Sequence, residues 1–251
     1  MRRARIAPGG IVYHGLNRGN GRNELFRKPQ DYAAFERIMI AAMQRSPIRV
    51  LAYCLMPNHW HMVLWPENDG EMTEFVRWLT LTHSQRLHAH LHTTGYGHIY
   101  QGRFKSFPIE KEESLLRVLR YVGRNALRAN LVERAQDWRW CSLWRRVNGD
   151  EQSLLSGWPM EVPTDWVAQV NGAQSAAELE ELRGSVNRGR PYMAPRTGKC
   201  GWQRSWGWNL AFTRAADPEK TRVDSRKGLR PLFPSSFFPL SLRHRKTNCE
   251  K

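Results

Sequence analysis

The sequence lacks the features that mark secreted and membrane proteins. Its four cysteines are far apart and form no Cys-x-x-Cys pair, which argues against a disulfide framework and a zinc ribbon. No apolar run is long enough to cross a bilayer, and no apolar segment follows the basic N-terminus. We therefore expect neither a membrane partner nor a signal peptide, and a reducing cytoplasm is the simplest location.

Acidic residues are scarce relative to basic ones. The 251 residues include 39 Lys and Arg against 23 Asp and Glu, which gives a formal net charge of +16. A protein with this charge favours polyanionic partners, and nucleic acid is the first of them. An apolar content of 41% is compatible with a folded core, and the length suffices for one sizeable domain with an appendage.

A short apolar run, residues 57–65, contains two histidines, His59 and His61. Its composition predicts a strand, in which successive side chains point to opposite faces. His59 and His61 should therefore share one face, while Trp60 and Met62 point the other way into a core. Two neutral imidazoles side by side suit a divalent metal ion. The plainer alternative is a pair of ordinary histidines on a half-buried strand.

A second stretch, residues 114–128, has apolar residues at helical spacing. Tyr121 and Asn125 are four residues apart and should share another face of this helix, although Gly123 weakens the helix by about 1 kcal/mol. A tyrosine beside bound phosphates could act as a nucleophile toward DNA. The alternative is a tyrosine at the edge of the core, with solvated arginines around it. The arginines that flank this face are Arg117, Arg124 and Arg128.

Two other segments are basic and could contact phosphates. A glycine-rich turn after the first predicted strand contains Arg18 and Arg22, and its backbone amides could cradle a phosphate. Residues 100–109 interleave aromatic and basic side chains, including Arg103 and Lys105, which is typical of a strand that lines single-stranded DNA. The alternatives are a plain turn and an edge strand whose charges prevent aggregation.

Together these stretches resemble the single-tyrosine HUH transposases of the IS200/IS605-like group, and most closely their REP-associated relatives. Four segments carry the resemblance in the family's order, and they are residues 51–61, 100–105, 119–132 and 138–142. The resemblance implies an α+β fold, with a ferredoxin-like antiparallel sheet and helices on one face. One departure is Ala126, where the family usually has proline.

The resemblance also implies a reaction. His59, His61 and Asn125 would hold Mg²⁺ or Mn²⁺, and Tyr121 would attack single-stranded DNA to give a 5′-phosphotyrosine intermediate. The enzyme would be a transposase that acts in DNA transposition or in the processing of repeat hairpins, as a monomer or a homodimer. Its DNA contacts would come from Arg18, Arg22, Arg103, Lys105, Arg117, Arg124 and Arg128.

Two other functions stay open at this point. The chain could be a non-catalytic DNA- or RNA-binding protein that retains the fold, or a metal-dependent hydrolase. The hydrolase is disfavoured because no carboxylate lies beside His59 and His61 in the sequence. We expect a transposase domain over residues 5–135, a C-terminal extension over residues 136–192, and an irregular, disordered tail over residues 193–251.

Overall fold

The computed structural model describes residues 7–109, 112–150 and 154–188, all within the compact unit Met1–Leu210. The tail expected over residues 193–251 lies outside these ranges, so its disorder stays a prediction, as do the domain boundaries. Among the helices of the described ranges, none combines the length and the apolar character that a membrane span needs.

A four-stranded antiparallel sheet forms the centre of the structure. Its strands are β1 (Val12–Arg18), β2 (Arg49–Met56), β3 (His59–Trp65) and β4 (Lys105–Ile109). Their order across the sheet is β2-β3-β1-β4, and every pairing is antiparallel. Two long helices connect the strands, α1 (Pro29–Arg45) after β1 and α2 (Glu71–Leu91) after β3. This βαββαβ arrangement confirms the predicted ferredoxin-like fold.

Five further helices follow β4 in the described part of the chain. They are α3 (Glu112–Gly123), α4 (Asn125–Arg128), α5 (Ser142–Val147), α6 (Trp166–Asn171) and α7 (Ala176–Arg188). Single 3₁₀ turns lie at Asn20–Arg22 and Ala135–Asp137. The last strand is shorter than the predicted segment 100–109, because Tyr100 forms only an isolated bridge with Gly19 and the ladder begins at Lys105.

Alternation along β3 decides which side chains meet on each side of the sheet. Trp60 and Met62 are fully buried on the face that α1 and α2 cover, as predicted. His59 and His61 take the opposite face, which they share with Val63. The helix α3 packs on this second face. The expectation of helices on one face therefore holds for α1 and α2, whereas α3 covers the other face.

The helix predicted over residues 114–128 is interrupted at Arg124. The helix α3 ends at Gly123, where an added Cβ would lie 3.3 Å from the side chain of Val170 on α6. The backbone of Arg124 stays close to helical, with φ −82° and ψ −3°, and its N–H still donates to the Arg120 carbonyl at 2.9 Å, as in a helix. The interruption is therefore local, and α4 begins at the next residue.

A buried ion pair connects α5, which follows α4 in the chain, to α1. Arg145 on α5 lies 2.8 Å from Glu36 on α1, and both side chains are more than nine-tenths buried. Tyr53 on β2 completes the group, because its hydroxyl donates to Glu36 and accepts from Arg145 Nε. Asp150 accepts a further bond from Arg145 at 2.6 Å. A buried charge pair with this many hydrogen bonds fixes the relative position of the elements that contribute to it.

Candidate functional site

The two histidines of β3 form the centre of the candidate site. Their ring centroids are 5.1 Å apart, and His61 is buried whereas His59 is partly exposed. Nδ1 of His59 lies 2.6 Å from Oδ1 of Asn58, and the amide nitrogen of Asn58 donates to the Arg22 carbonyl. Since an amide oxygen only accepts, His59 carries its proton on Nδ1, and its Nε2 keeps a lone pair.

A third histidine, which the sequence pattern did not single out, contacts His61. His14 lies on β1, and its Nε2 is 2.9 Å from Nδ1 of His61. The two rings are stacked with centroids 5.1 Å apart, and His14 is only 2% exposed. The sequence did offer one signal for His14, namely a histidine inside an apolar strand. Its meaning depends on the pairing of β1 with β3, which the sequence does not show.

The helix α3 places Tyr121 on the same face of the sheet. The centroid of its ring is 5.8 Å from that of His61 and 6.0 Å from that of His14. The guanidinium of Arg128 lies over the ring, 4.1 Å from its centroid. The structure therefore brings a phenol, an imidazole cluster and a guanidinium together.

Asn125 lies beside this cluster and is connected to it by Arg128. Its Oδ1 accepts a hydrogen bond from Nη2 of Arg128. Its Nδ2 is buried and has no hydrogen-bond partner among the residues that the structure describes. A buried amide donor left unpaired costs about 1–3 kcal/mol. The amide group of Asn125 is therefore buried beside the site at an energetic cost. Its oxygen faces the guanidinium of Arg128.

The candidate metal ligands of this cluster fit a divalent ion in part. Burial, together with the nearby charges of Arg18 and Arg128, lowers the pKa of His59 to about 4. Burial and the neighbouring histidines also hold the pKa of His61 well below its usual range. Both imidazoles are therefore neutral at pH 7, as metal ligands must be.

A third ligand is the weaker part of this fit. Within residues 7–109, 112–150 and 154–188, no three His, Cys, Asp or Glu side chains are arranged to hold an ion. The third candidate ligand is the amide oxygen of Asn125, which accepts a hydrogen bond from Arg128 in this structure. An ion at His59 and His61 would therefore compete with Arg128 for Asn125.

A basic cleft of about 220 Å³ lies at the end of β1. Arg18, which lines it, is the β-sheet partner of His59. Within the described part of the chain, the buried Nε of Arg18 has no hydrogen-bond partner. Arg103 and Lys105 also line the cleft, and both are exposed. The rest of the lining is Leu16, Asn17, Gln101 and Gly102, so every charged side chain of the lining is a cation.

The other basic residues that we predicted to bind DNA differ in position. Arg22 is exposed in the turn that Asn58 contacts, at the same end of the sheet. Arg117 is partly exposed on α3, four residues before Tyr121.

Arg124, in contrast, is directed away from this face. Its guanidinium donates to the carbonyl groups of Val170 and Asn171, at the C-terminal end of α6. A cation at a helix C-terminus is stabilising. Arg124 therefore joins two helices in this structure, and its predicted contact with DNA would require these bonds to break.

Comparison with known proteins supports the resemblance. Residues 9–125 of the 251 match the family model described as "Transposase IS200 like". This segment contains His14, His59, His61 and Tyr121, and it ends at Asn125. The match confirms the resemblance to the IS200/IS605-like group and supports a transposase role. No curated protein matches the chain.

Two solved structures are similar to the chain. A REP-associated tyrosine transposase bound to a REP hairpin is 21% identical, with a TM-score of 0.45, covering 65% of this chain and 94% of its own. A protein described as a candidate transposase, from Deinococcus radiodurans R1, is 16% identical, with a TM-score of 0.35, covering 49% of this chain and 95% of its own. Both TM-scores lie below 0.5, so the resemblance rests on the family match alone.

Proposed function

Because residues 9–125 carry the sequence pattern of the IS200-like transposases, we propose that this chain cleaves and rejoins single-stranded DNA with Tyr121 as its nucleophile. The observation that supports the proposal most is the position of Tyr121. Its ring lies 5.8 Å from that of His61 and under the guanidinium of Arg128. A nucleophilic tyrosine needs such a setting, because a nearby cation stabilises both the phenolate and the phosphate that it attacks.

The proposed reaction forms one bond and breaks one. Oη of Tyr121 attacks the scissile phosphorus, the bond to the 3′ oxygen breaks, and that oxygen leaves with a proton. The strand is then held as a 5′-phosphotyrosine, and attack by a 3′ hydroxyl reverses the step and rejoins DNA without ATP. Arg128 is placed to stabilise the phenolate, and once it leaves Asn125 it can also bind a phosphate oxygen.

His59, His61 and Asn125 are the residues that would hold the metal ion. Mg²⁺ or Mn²⁺, when bound, supplies positive charge that polarises the phosphate. Nε2 of His59 has its lone pair available, since Asn58 holds the proton on Nδ1. Oδ1 of Asn125 becomes available only when Arg128 gives up its hydrogen bond, which links ion binding to a movement of Arg128.

The basic cleft that Arg18 lines is the proposed path of the DNA strand. Arg18, Arg103 and Lys105 would bind successive phosphates there, with Arg22 at the same end of the sheet. Hairpin-forming single-stranded DNA is the substrate that we propose, as the resemblance to the REP-associated group implies. We propose that a monomer carries out the cleavage, because the ring of Tyr121 lies 5.8 Å from that of His61 in the same chain.

A cleavage assay tests this proposal. Labelled single-stranded hairpins from the flanks of the gene are incubated with the protein in Mn²⁺ or in EDTA, and covalent adducts are resolved on denaturing gels. We expect an adduct that requires Mn²⁺ and disappears in Tyr121→Phe. Tyr96→Phe is the matched control, because Tyr96 is 85% exposed in the loop after α2 and should leave the adduct unchanged.

A non-catalytic nucleic-acid-binding protein is the second candidate. It is favoured by one observation, the hydrogen bond through which Arg128 occupies the third metal ligand. If the hairpin binds tightly and no adduct forms with Mn²⁺, Mg²⁺ or other divalent ions, this second function replaces the first.

A further inference from the structure

We propose that His14 is a positioning residue that holds His61 as the tautomer with its proton on Nδ1. In this form Nε2 of His61 keeps a lone pair and can bind a metal ion. The inference deepens the proposed function and rests on it, since it gives His61 the role of a ligand. His14 itself would touch neither the metal ion nor the DNA.

The rings of His14 and His61 are in direct contact. Nε2 of His14 is 2.9 Å from Nδ1 of His61, which is a normal hydrogen-bond distance between ring nitrogens. One nitrogen must donate and the other accept, because two bare lone pairs at this distance would repel each other. The contact therefore fixes the tautomer of His61, once it is known which ring donates.

Neither ring can easily turn away from the other. His14 and His61 are 2% and 4% exposed, and their rings are stacked. Phe107 on β4 and Tyr121 on α3 contact the ring of His14 as well, with centroids 6.2 Å and 6.0 Å away. A ring enclosed on several sides keeps one orientation, so its hydrogen bond can hold a partner in one orientation.

The direction of the hydrogen bond follows from the proposed role of His61 as a ligand. If His14 donates, His61 accepts on Nδ1, its own proton lies on Nε2, and neither nitrogen is left for a metal ion. If His61 donates from Nδ1, its Nε2 is free. The neighbouring histidine already shows the second arrangement, because Asn58 holds the proton of His59 on Nδ1. With His14 as acceptor, both histidines of β3 present Nε2, as paired ligands require.

The first test reads the tautomer directly in the metal-free protein. Long-range ¹H–¹⁵N correlation spectra distinguish Nδ1–H from Nε2–H histidines, and His61→Gln assigns the signals. We expect His61 as the Nδ1–H tautomer in the wild type. An Nε2–H tautomer for His61 would overturn the proposal, whatever the metal affinity.

The second test measures Mn²⁺ affinity by titration calorimetry on folded variants. His14→Phe keeps a ring but removes the acceptor, and we expect about 10- to 100-fold weaker binding. His14→Gln places an amide oxygen near the position of Nε2 and should restore most of the affinity. His83→Gln is the matched control, because His83 is 4% exposed, lies against α1 instead of this site, and should not affect Mn²⁺.

The outcomes separate the two proposals. If His14→Phe binds Mn²⁺ as the wild type does, while His59→Ala has lost binding, His14 has no positioning role and the proposed metal site stands. If the wild type binds no Mn²⁺, the metal site itself is wrong and the role of His14 falls with it.

Discussion

Arg128 lies over the ring of Tyr121, 4.1 Å from its centroid, and so places a full positive charge against the candidate nucleophile. The same guanidinium donates to Asn125, the candidate third ligand of the metal ion. One side chain therefore serves two groups whose proposed roles differ. Substitutions at this position should separate those roles.

We expect Arg128→Ala to slow adduct formation by about 100-fold, because the variant has no charge beside the phenolate and the phosphate. The same change should not weaken Mn²⁺ binding and should strengthen it severalfold, since Oδ1 of Asn125 is released and a nearby cation is removed. Single-turnover adduct kinetics and calorimetry measure the two effects. Equal losses in both would mean that Arg128 only supports the fold.

Lys105→Gln should weaken the binding of single-stranded DNA to a similar extent for different sequences. Lys105 lines the basic cleft, and a protein that binds one phosphate fewer should show a plot of log affinity against log salt that is shallower by about 0.7. Filter binding at several salt concentrations gives the slope. Arg134→Gln changes the net charge equally, but Arg134 is paired with Asp137 on the surface, so its slope should match that of the wild type.

Arg145→Met should destabilise the protein by about 3–5 kcal/mol, because Glu36 would be left as a buried charge without its partner. Urea unfolding followed by circular dichroism measures the loss. The surface pair of Arg134 and Asp137 supplies the comparison, and Arg134→Met should destabilise the protein far less, because water screens that pair. Similar losses of stability in the two variants would show that the buried pair contributes no more than the surface pair.

The stability of the fold should fall as the pH is lowered from about 6.5 to 4. Burial lowers the pKa of His83 to about 4, although the carboxylate of Asp31 opposes the shift. In the unfolded chain the histidine titrates near 6.5, so between these values the unfolded state binds the proton and the folded state does not. At pH 5 the loss from His83 is about 2 kcal/mol.

Urea midpoints at pH 7.5 and pH 5 test this dependence. In His83→Gln the difference between the two midpoints should shrink by the contribution of His83. Other buried histidines contribute in both proteins, so only the change between the variants reports on this residue. An unchanged difference would mean that His83 is protonated in the folded state at pH 5.

Local pattern was sufficient to predict the strand that carries the histidines. The alternation of β3 placed His59 and His61 opposite Trp60, and the structure has the same arrangement. Helical spacing likewise placed Tyr121 near Asn125, although α3 ends between them. These features involve residues that are close together in the sequence. The geometry of a single strand or helix determines how the side chains of such residues are placed.

The remaining features depend on contacts between distant segments. The contact of His14 with His61 requires the pairing of β1 with β3, and the turning of Arg124 requires α6 beside the end of α3. The position of α3 on the second face has the same origin, because it follows from which apolar surface of the sheet was still uncovered. A periodic pattern shows that a helix has an apolar stripe, but not which surface the stripe will meet.

The close packing of Gly123 against Val170 has a consequence for anyone who shortens this protein. Arg120 on α3 adds a contact with the segment that follows α6, because its guanidinium donates to the carbonyl groups of Gly172 and Ala173. The segment that matches the transposase family model ends at Asn125, well before these partners in the sequence. A shortened chain should therefore extend beyond Ala173, because a shorter one would retain Tyr121 and lose the contacts that hold α3 in place.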